Sequence, residues 1–199
     1  MDVGSIYRLM ISAVVPRPIA WVSTVDKQGR TNLAPFSYFN AVASRPPSLM
    51  FSVAVNADGT EKDTLHNIKE TGQFVVNGAC LPLLDELNET AAPFSRGVSE
   101  FKEVGLTEEP SLLVKPPRVK EAILALECEL MQLLVIGDGG VGSATMVIGR
   151  ILCLHAREDA INAQGALTPE ALEPVARLGG QDYGLLGAVI TKPRQRKPR

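Results

Sequence analysis

The sequence of 199 residues has few of the residues that build metal centres and disulfide scaffolds. It contains three cysteines, without CxxC spacing, and two histidines. Cys80, Cys128 and Cys153 each lie among apolar neighbours, so we expect buried thiols rather than disulfides or a zinc site. Cys153 and His155 alternate along one strand, where a core pair is favoured over a nucleophile with its base. Unpaired thiols and the lack of an export signal predict a cytoplasmic protein.

The sequence also lacks a strong net charge and a long apolar run. Its 20 basic and 22 acidic residues give a net charge of -2, so no nucleic-acid or acidic-membrane partner is expected. No stretch reaches the roughly 18 apolar residues of a membrane span. Hydrophobic residues make up 45%, as in globular domains.

The charge is unevenly distributed along the chain. Residues 191–199 carry five cations and no acid. We predict one domain over residues 1–188, followed by a basic tail over 189–199 that is too polar to fold. The alternative for the tail is a contact with a phosphate or an acidic partner.

Strand patterns dominate the chain. Residues 17–26 and the start of the arm 31–44 predict a hairpin around Gly29. Because Pro35 cannot donate to a ladder, pairing is expected to end or bulge near it, and the chain is expected to loosen around 36–40. Residues 48–55, 73–79, 121–130 and 144–157 predict further strands. Residues 60–71 predict a helix with a capping box from Thr60 to Asp63, and 81–90 a second short helix. The fold class expected is therefore mainly β, a β-barrel with short inserted helices.

The glycine-rich run from Gly137 to Gly142 matches GxGxxG, the dinucleotide fingerprint. That fingerprint needs a helix directly after it, whereas residues 144–157 have the composition of a strand. We therefore predict a hairpin turn here and no phosphate site.

Two places suit recognition of an anion. Lys62, Asp63 and Thr64 put a cation and a hydroxyl at the first turn of a helix, where free N–H groups favour a phosphate. The alternative is that Lys62 is solvated and the other two only cap the helix. Arg17 stands between Pro16 and Pro18, which restrains its backbone and suits anion binding, although this tripeptide is equally a common strand entry.

The segment from Phe36 to Asn40 concentrates aromatic rings, a hydroxyl and an amide at a break in the sheet. A flat heteroaromatic ligand would find stacking and hydrogen-bonding partners there. A structural corner is the alternative.

Four segments carry a resemblance to a known family. They are RPIAWVSTVDKQGRTNLAPFSYFNAVASRPPSLMFSV, KDTLHNIKETGQFVVN, SATMVIGRILCLHAR and ARLGGQDYG. Taken together, they resemble the flavin reductase-like family of FMN-binding split barrels. The resemblance extends from about Arg17 to Tyr183. It implies a split β-barrel that forms a homodimer, with FMN at or near the subunit interface. It also implies a set of FMN-binding residues: Arg17, Lys62, Asp63 and Thr64 at the phosphate; Ser37, Tyr38, Phe39, Asn40, Ser52 and Val53 along the ribityl chain and ring; Arg177, Gly179, Gly180 and Tyr183 in a covering segment.

The function implied by the resemblance is an NAD(P)H-dependent FMN reductase, supplying reduced flavin or electrons to a monooxygenase or another redox partner. The alternative is a non-enzymatic FMN-binding electron carrier that acts with a protein partner. The cofactor performs the redox chemistry, so no catalytic side chain is assigned. In the reductase, Tyr183 would cover or vacate the flavin face, with Gly179 and Gly180 as a hinge. Otherwise Tyr183 packs the end of the barrel.

Overall fold

A computed structural model describes residues 1–193 of the chain. Residues 186–193 form neither helix nor strand. The expected disorder of the basic tail falls, from residue 194 onward, outside the described residues. Over residues 1–193, no helix combines the length and apolar character needed to cross a membrane.

Short helices and mostly antiparallel strands make up the described chain. The α-helices are α1 (Val3–Ala13), α2 (Asp63–Thr71), α3 (Leu84–Glu89), α4 (Glu100–Glu103) and α5 (Pro169–Leu172), and 3₁₀ turns cover Leu81–Leu83 and Glu158–Ala160. The strands are β1 (Arg17–Pro18), β2 (Ala20–Val25), β3 (Thr31–Phe36), β4 (Phe39–Ser44), β5 (Pro47–Ala54), β6 (Gln73–Gly78), β7 (Glu108–Glu109), β8 (Arg118–Val119), β9 (Leu124–Ile136), β10 (Ala144–Ala156), β11 (Val175–Arg177) and β12 (Tyr183–Leu185).

Seven strands form the main antiparallel sheet, in the order β3-β2-β6-β9-β10-β5-β4. The 13-residue strands β9 and β10 lie at its centre and are joined by the glycine-rich turn, where Gly137, Gly139 and Gly142 have positive φ. A small sheet of β1, β11 and β12 and a pair of β7 with β8 complete the strands. The mainly β prediction and the hairpin turn are confirmed.

Both faces of the sheet are covered at β2, which explains why this strand carries no charged residue and is buried along its length. Trp21 packs with Phe101 on one face, and Val22 packs with Phe51 and Phe74 on the other. Alternate residues of a strand point to opposite faces, so a strand buried on both sides shows no polar alternation. All six residues of β2 are accordingly buried.

A segment over residues 110–119, which we name the strap, is held against the sheet by polar side chains. Ser23 Oγ donates to a strap carbonyl at 2.5 Å, and Asn77 Oδ1 accepts a strap N–H at 2.9 Å. Glu127 accepts three further strap N–H groups. The buried polar groups of the sheet thus satisfy the backbone of the irregular segment above them.

The expected capping box was wrong, the expected loose segment was too long, and three helices, α1, α4 and α5, were not anticipated. Helix α2 begins at Asp63 after Lys62, without a side-chain cap, because Thr60 closes a turn by donating to Asp58 at 2.6 Å. The chain leaves the sheet after Phe36, as expected, but only over residues 37–38, because it pairs with β5 as β4 from residue 39. Helix α1 is amphipathic but short and exposed, so its pattern gave a weak signal.

Candidate functional site

A cleft of about 930 Å³ opens at the amino end of α2. Its walls come from β3, the turn at 56–60, the first residues of α2, the loop at 90–96 and Glu100. The 90–96 loop follows α3, which packs on β3 in the core. The cleft therefore joins segments that are far apart in sequence but are fixed by one packed sheet edge.

The start of α2 presents uncapped backbone donors toward this cleft. Lys62 has extended backbone angles and occupies the cap position, and no side chain caps the helix. The first N–H groups of a helix lack partners within it and carry the positive end of its dipole. Thr64 is buried, and its Oγ accepts from Asn32 Nδ2 at 3.0 Å, so its own hydrogen remains for a ligand. Lys62 and Thr64 thus both lie at the start of the helix and line the cleft, the arrangement that the sequence predicted.

Asp63 has a different place from the one expected of a phosphate-binding residue. Its carboxylate accepts from Arg96 Nε at 2.7 Å, across the mouth of the cleft. A carboxylate does not attract an anion, but this one holds a second cation beside the helix start. Arg96 was missed because a single arginine in a loop carries no sequence pattern.

Arg17 does not line the cleft, and the whole residue is only 5% exposed. It donates to the carbonyls of Ile11, Val14 and Leu178 at 2.5, 2.7 and 2.8 Å, and its Nε donates to Ser37 Oγ at 3.3 Å. Four of its five N–H donors are thereby used. The structure therefore does not bring Arg17 to the helix start with Lys62. The Arg17 guanidinium instead contacts the side chain of Ser37.

The segment predicted to meet a flat ligand forms a corner between β3 and β4. The ring of Tyr38 lies 6.0 Å from the Arg17 guanidinium, and burial raises the pKa of its phenol. The carbonyl of Tyr38 accepts the N–H of Ser52 at 2.9 Å, which ties the corner to β5. Ser37, Tyr38 and Ser52 are therefore neighbours in space.

The remaining residues of that group differ in accessibility. Phe39 and Asn40 lie at the start of β4, the outer strand of the main sheet, and Asn40 is exposed. Val53 is 1% exposed and packs in the core, so its side chain cannot line a ligand site, and only its backbone could.

The predicted covering segment forms the small hairpin of β11 and β12. Arg177 lies opposite Arg17 in the β1–β11 pair, and its guanidinium stacks on the Tyr183 ring at 4.5 Å. The Tyr183 hydroxyl donates to Asn88 Oδ1 at 3.0 Å. Gly180 has a φ of 62°, which permits the tight turn between the strands. This hairpin is thus close to Arg17 through strand pairing, while Tyr183 packs toward α3.

Glu100 is a buried carboxyl in the cleft wall that the sequence analysis did not single out. Its Oε2 accepts the N–H of Leu33 at 2.8 Å. Burial raises the pKa of Glu100 to about 7, and nearby Asp63 adds to the rise against the effect of the Leu33 hydrogen bond. Its position at the first turn of α4 gave no sign of burial, since acidic residues are common there.

The sequence model of the "Flavin reductase like domain" matches residues 11–171. The chain belongs to this family. The solved structure of nitrilotriacetate monooxygenase component B from Bacillus cereus superposes with a TM-score of 0.92 and 35% identity, over 96% of this chain and 95% of the other. The structure of 2-nitrobenzoate 2-nitroreductase NbaA from Pseudomonas fluorescens superposes with a TM-score of 0.86 and 31% identity, over 97% of this chain and 93% of the other. A protein of Halalkalibacterium halodurans is 40% identical over 189 residues, 94% of this chain and 90% of that protein.

This flavin reductase-like domain should show a pH-dependent stability that originates in Glu100. The folded protein keeps a proton on Glu100 up to about pH 7, whereas the unfolded chain releases it near the ordinary value of 4.5, so stability falls as pH rises through that window. Glu100→Gln cannot ionise and keeps an oxygen for the Leu33 N–H. We expect its free energy of unfolding to exceed that of the wild type by about 1 to 3 kcal/mol at pH 8 and to match it at pH 4.5.

Urea unfolding at a series of pH values measures this difference. Glu103→Gln, an exposed change in the same helix, is the control and should leave the pH profile as it is in the wild type. Parallel profiles for Glu100→Gln and the wild type would show that Glu100 does not titrate with a raised pKa.

Proposed function

We propose that the protein binds FMN and is an NAD(P)H-dependent flavin reductase that supplies reduced flavin or electrons to a monooxygenase or another redox partner. The observation that carries the proposal is the uncapped start of α2, which opens with Lys62, Thr64 and Arg96 onto a large cleft within a flavin reductase-like domain. The similarity to a monooxygenase component supports the assignment of the partner class.

The residues at the helix start fit the phosphate of FMN. A phosphate monoester brings about two negative charges and several acceptor oxygens, and the site offers backbone N–H groups, the Thr64 hydroxyl and two cations. Asp63 keeps Arg96 at the mouth of the cleft, so the second cation is already in place. One such cluster suits one phosphate, so we propose FMN rather than FAD as the cofactor.

The corner from Ser37 to Asn40, with Ser52 and the backbone of Val53, is proposed to border the ribityl chain and the ring. Arg17 acts there through Ser37, whose hydroxyl it holds, rather than at the phosphate. Arg177 and Tyr183 are proposed to cover the site. Bound FMN supplies the hydride-accepting chemistry, and the protein supplies placement and exclusion of water.

Changing Lys62 to Ala should weaken binding of FMN about 10- to 100-fold, the equivalent of roughly 1 to 3 kcal/mol for a lost charge-assisted contact. Riboflavin, which has no phosphate, should bind both proteins alike. Quenching of flavin fluorescence during titration measures both affinities. Lys120→Ala, an exposed lysine that does not line the cleft, is the control and should bind FMN as the wild type does. An equal loss for riboflavin would place Lys62 away from the phosphate.

Mixing the FMN-loaded protein with NADH or NADPH under anaerobic stopped-flow conditions tests the reaction. We expect the flavin absorbance to bleach far faster than that of free FMN, because the protein holds donor and acceptor together. FMN mixed with each nicotinamide without protein is the control. If neither nicotinamide bleaches the bound flavin, the reductase assignment fails and the electron-carrier alternative is favoured.

We propose further that the protein is a homodimer. Apolar side chains on α1 and on the end of the β9–β10 hairpin are about half exposed or more in one chain. Helix α1 lies against that hairpin, since a Cβ added to Gly142 would be 2.7 Å from Val3 Cγ1. Exposed apolar groups that cluster in this way mark an interaction surface. The members are Tyr7, Leu9, Met10, Val135, Ile136 and Val141.

Light scattering on the FMN-loaded protein should give the mass of two chains. Val135→Lys introduces a charge into the proposed interface and should shift the mass toward one chain. Leu112→Lys, an equally exposed apolar position in the strap, should leave the dimer intact. A single-chain mass for the wild type with FMN bound would refute the dimer.

A further inference from the structure

Three side chains that bind metals in other proteins converge on β9 and β10, outside the cleft. Cys153 is the register partner of Glu127, and His155 follows two residues later on the same face of β10. One ligand atom from each of the three lies within 4.8 Å of the other two. None of the three lines the cleft at α2. This trio is therefore separate from the proposed flavin phosphate site.

Glu127 is held in place before any ion arrives. Its side chain is fully buried, and its two oxygens accept the N–H groups of Leu112, Leu113 and Val114 at 2.6 to 3.2 Å. Burial alone would raise the pKa of Glu127, but these N–H groups and His155 outweigh it and lower the pKa. A charged, oriented carboxylate is thus present without reorganisation.

His155 forms a hydrogen bond with the Glu127 carboxylate, and a cation can replace this hydrogen bond. Its Nε2 lies 2.6 Å from Glu127 Oε1, and the side chain is 18% exposed. If a metal ion replaces the contact with His155, Glu127 Oε1 still accepts the N–H of Leu112. Glu127 Oε2 still accepts the N–H groups of Leu113 and Val114. Replacing the shared proton by a metal ion therefore leaves the strap anchored to Glu127.

We propose that Cys153, His155 and Glu127 form a binding site for a borderline divalent cation such as Zn²⁺, which takes the place of the proton between His155 and Glu127. Thiolate, imidazole and carboxylate are the ligands that Zn²⁺ prefers, and three of them with an open fourth position are typical of accessible zinc sites. On binding, Cys153 releases its proton to water, and the proton between His155 and Glu127 leaves Nε2, so that a neutral imidazole with its hydrogen on Nδ1 coordinates the ion through Nε2.

The geometry requires shifts of about an ångström, since Cys153 Sγ lies within 4.8 Å of the other two ligand atoms and a tetrahedral zinc site needs roughly 3.6 Å. Zinc bonds of about 2.0 to 2.1 Å to nitrogen and oxygen place those two atoms roughly 3.3 Å apart in a tetrahedral site. His155 must move back from Glu127 by less than an ångström, and its partial exposure leaves room for this. Cys153 is also partly exposed, so water can supply the fourth ligand. Occupancy would hold β9, β10 and the strap together.

Cobalt(II) added to the chelator-treated, FMN-free protein tests the site by absorbance. We expect the near-ultraviolet thiolate-to-cobalt band together with the visible bands of tetrahedral cobalt, at one ion per chain, and their loss on addition of Zn²⁺. Cys153→Ser should abolish the thiolate band, and His155→Ala should weaken cobalt binding at least tenfold. Cys80→Ser, which removes a buried thiol elsewhere, is the control and should bind cobalt as the wild type does.

Circular dichroism shows whether each variant keeps the fold, so that loss of the band reports on the ligand alone. A second readout is the melting temperature, which Zn²⁺ should raise in the wild type and in Cys80→Ser but not in Cys153→Ser. Absence of the thiolate band in the folded wild type at saturating cobalt would overturn the proposal. Persistence of the band in Cys153→Ser would do so as well.

Discussion

The buried guanidinium of Arg17 is the contact on which the arrangement of the termini and the corner depends. No carboxylate among the described residues lies within ion-pair distance of it, so its charge is compensated by three carbonyls and one hydroxyl. A buried cation without such partners would be strongly unfavourable. The end of α1, the corner at Ser37 and Leu178, which is 161 positions away in sequence, must therefore all be in place together. Arg17 also places a positive charge next to the corner that is proposed to contact the flavin.

Two buried glutamates show how local donors decide the state of a carboxyl group. Glu127 is fully buried yet stays ionised, because three strap N–H groups and His155 surround its oxygens. Glu100 is nearly as buried but accepts one N–H group, so desolvation dominates and its pKa rises to about 7. Two carboxyl groups with little exposed surface therefore differ: one is a fixed anion, and the other titrates near neutrality.

The predictions succeeded where a pattern is local. The hairpin at Gly29, the helix at α2, the two long strands and the glycine-rich turn follow from periodicity and turn residues within a few positions. The predictions failed where neighbours compete. Thr60 hydrogen-bonds within its own turn instead of capping α2, and β4 forms because β5 is available to pair with it. Both competitors are close in sequence, but the residue types alone do not specify which of two available partners a group takes.

For the site, the sequence by itself determined that a cation and a hydroxyl stand at a helix start and that aromatic and polar groups follow Pro35, because each group is contiguous in the chain. Only the tertiary structure decided that Arg96 pairs with Asp63 beside Lys62, that Arg17 donates to Ser37 and backbone carbonyls, and that Glu127 lies next to Cys153 and His155. Apart from the Arg17 contacts to Ile11 and Val14, these contacts join residues that are 20 or more positions apart. Their pairing depends on sheet register and loop packing, which the residue types alone do not specify.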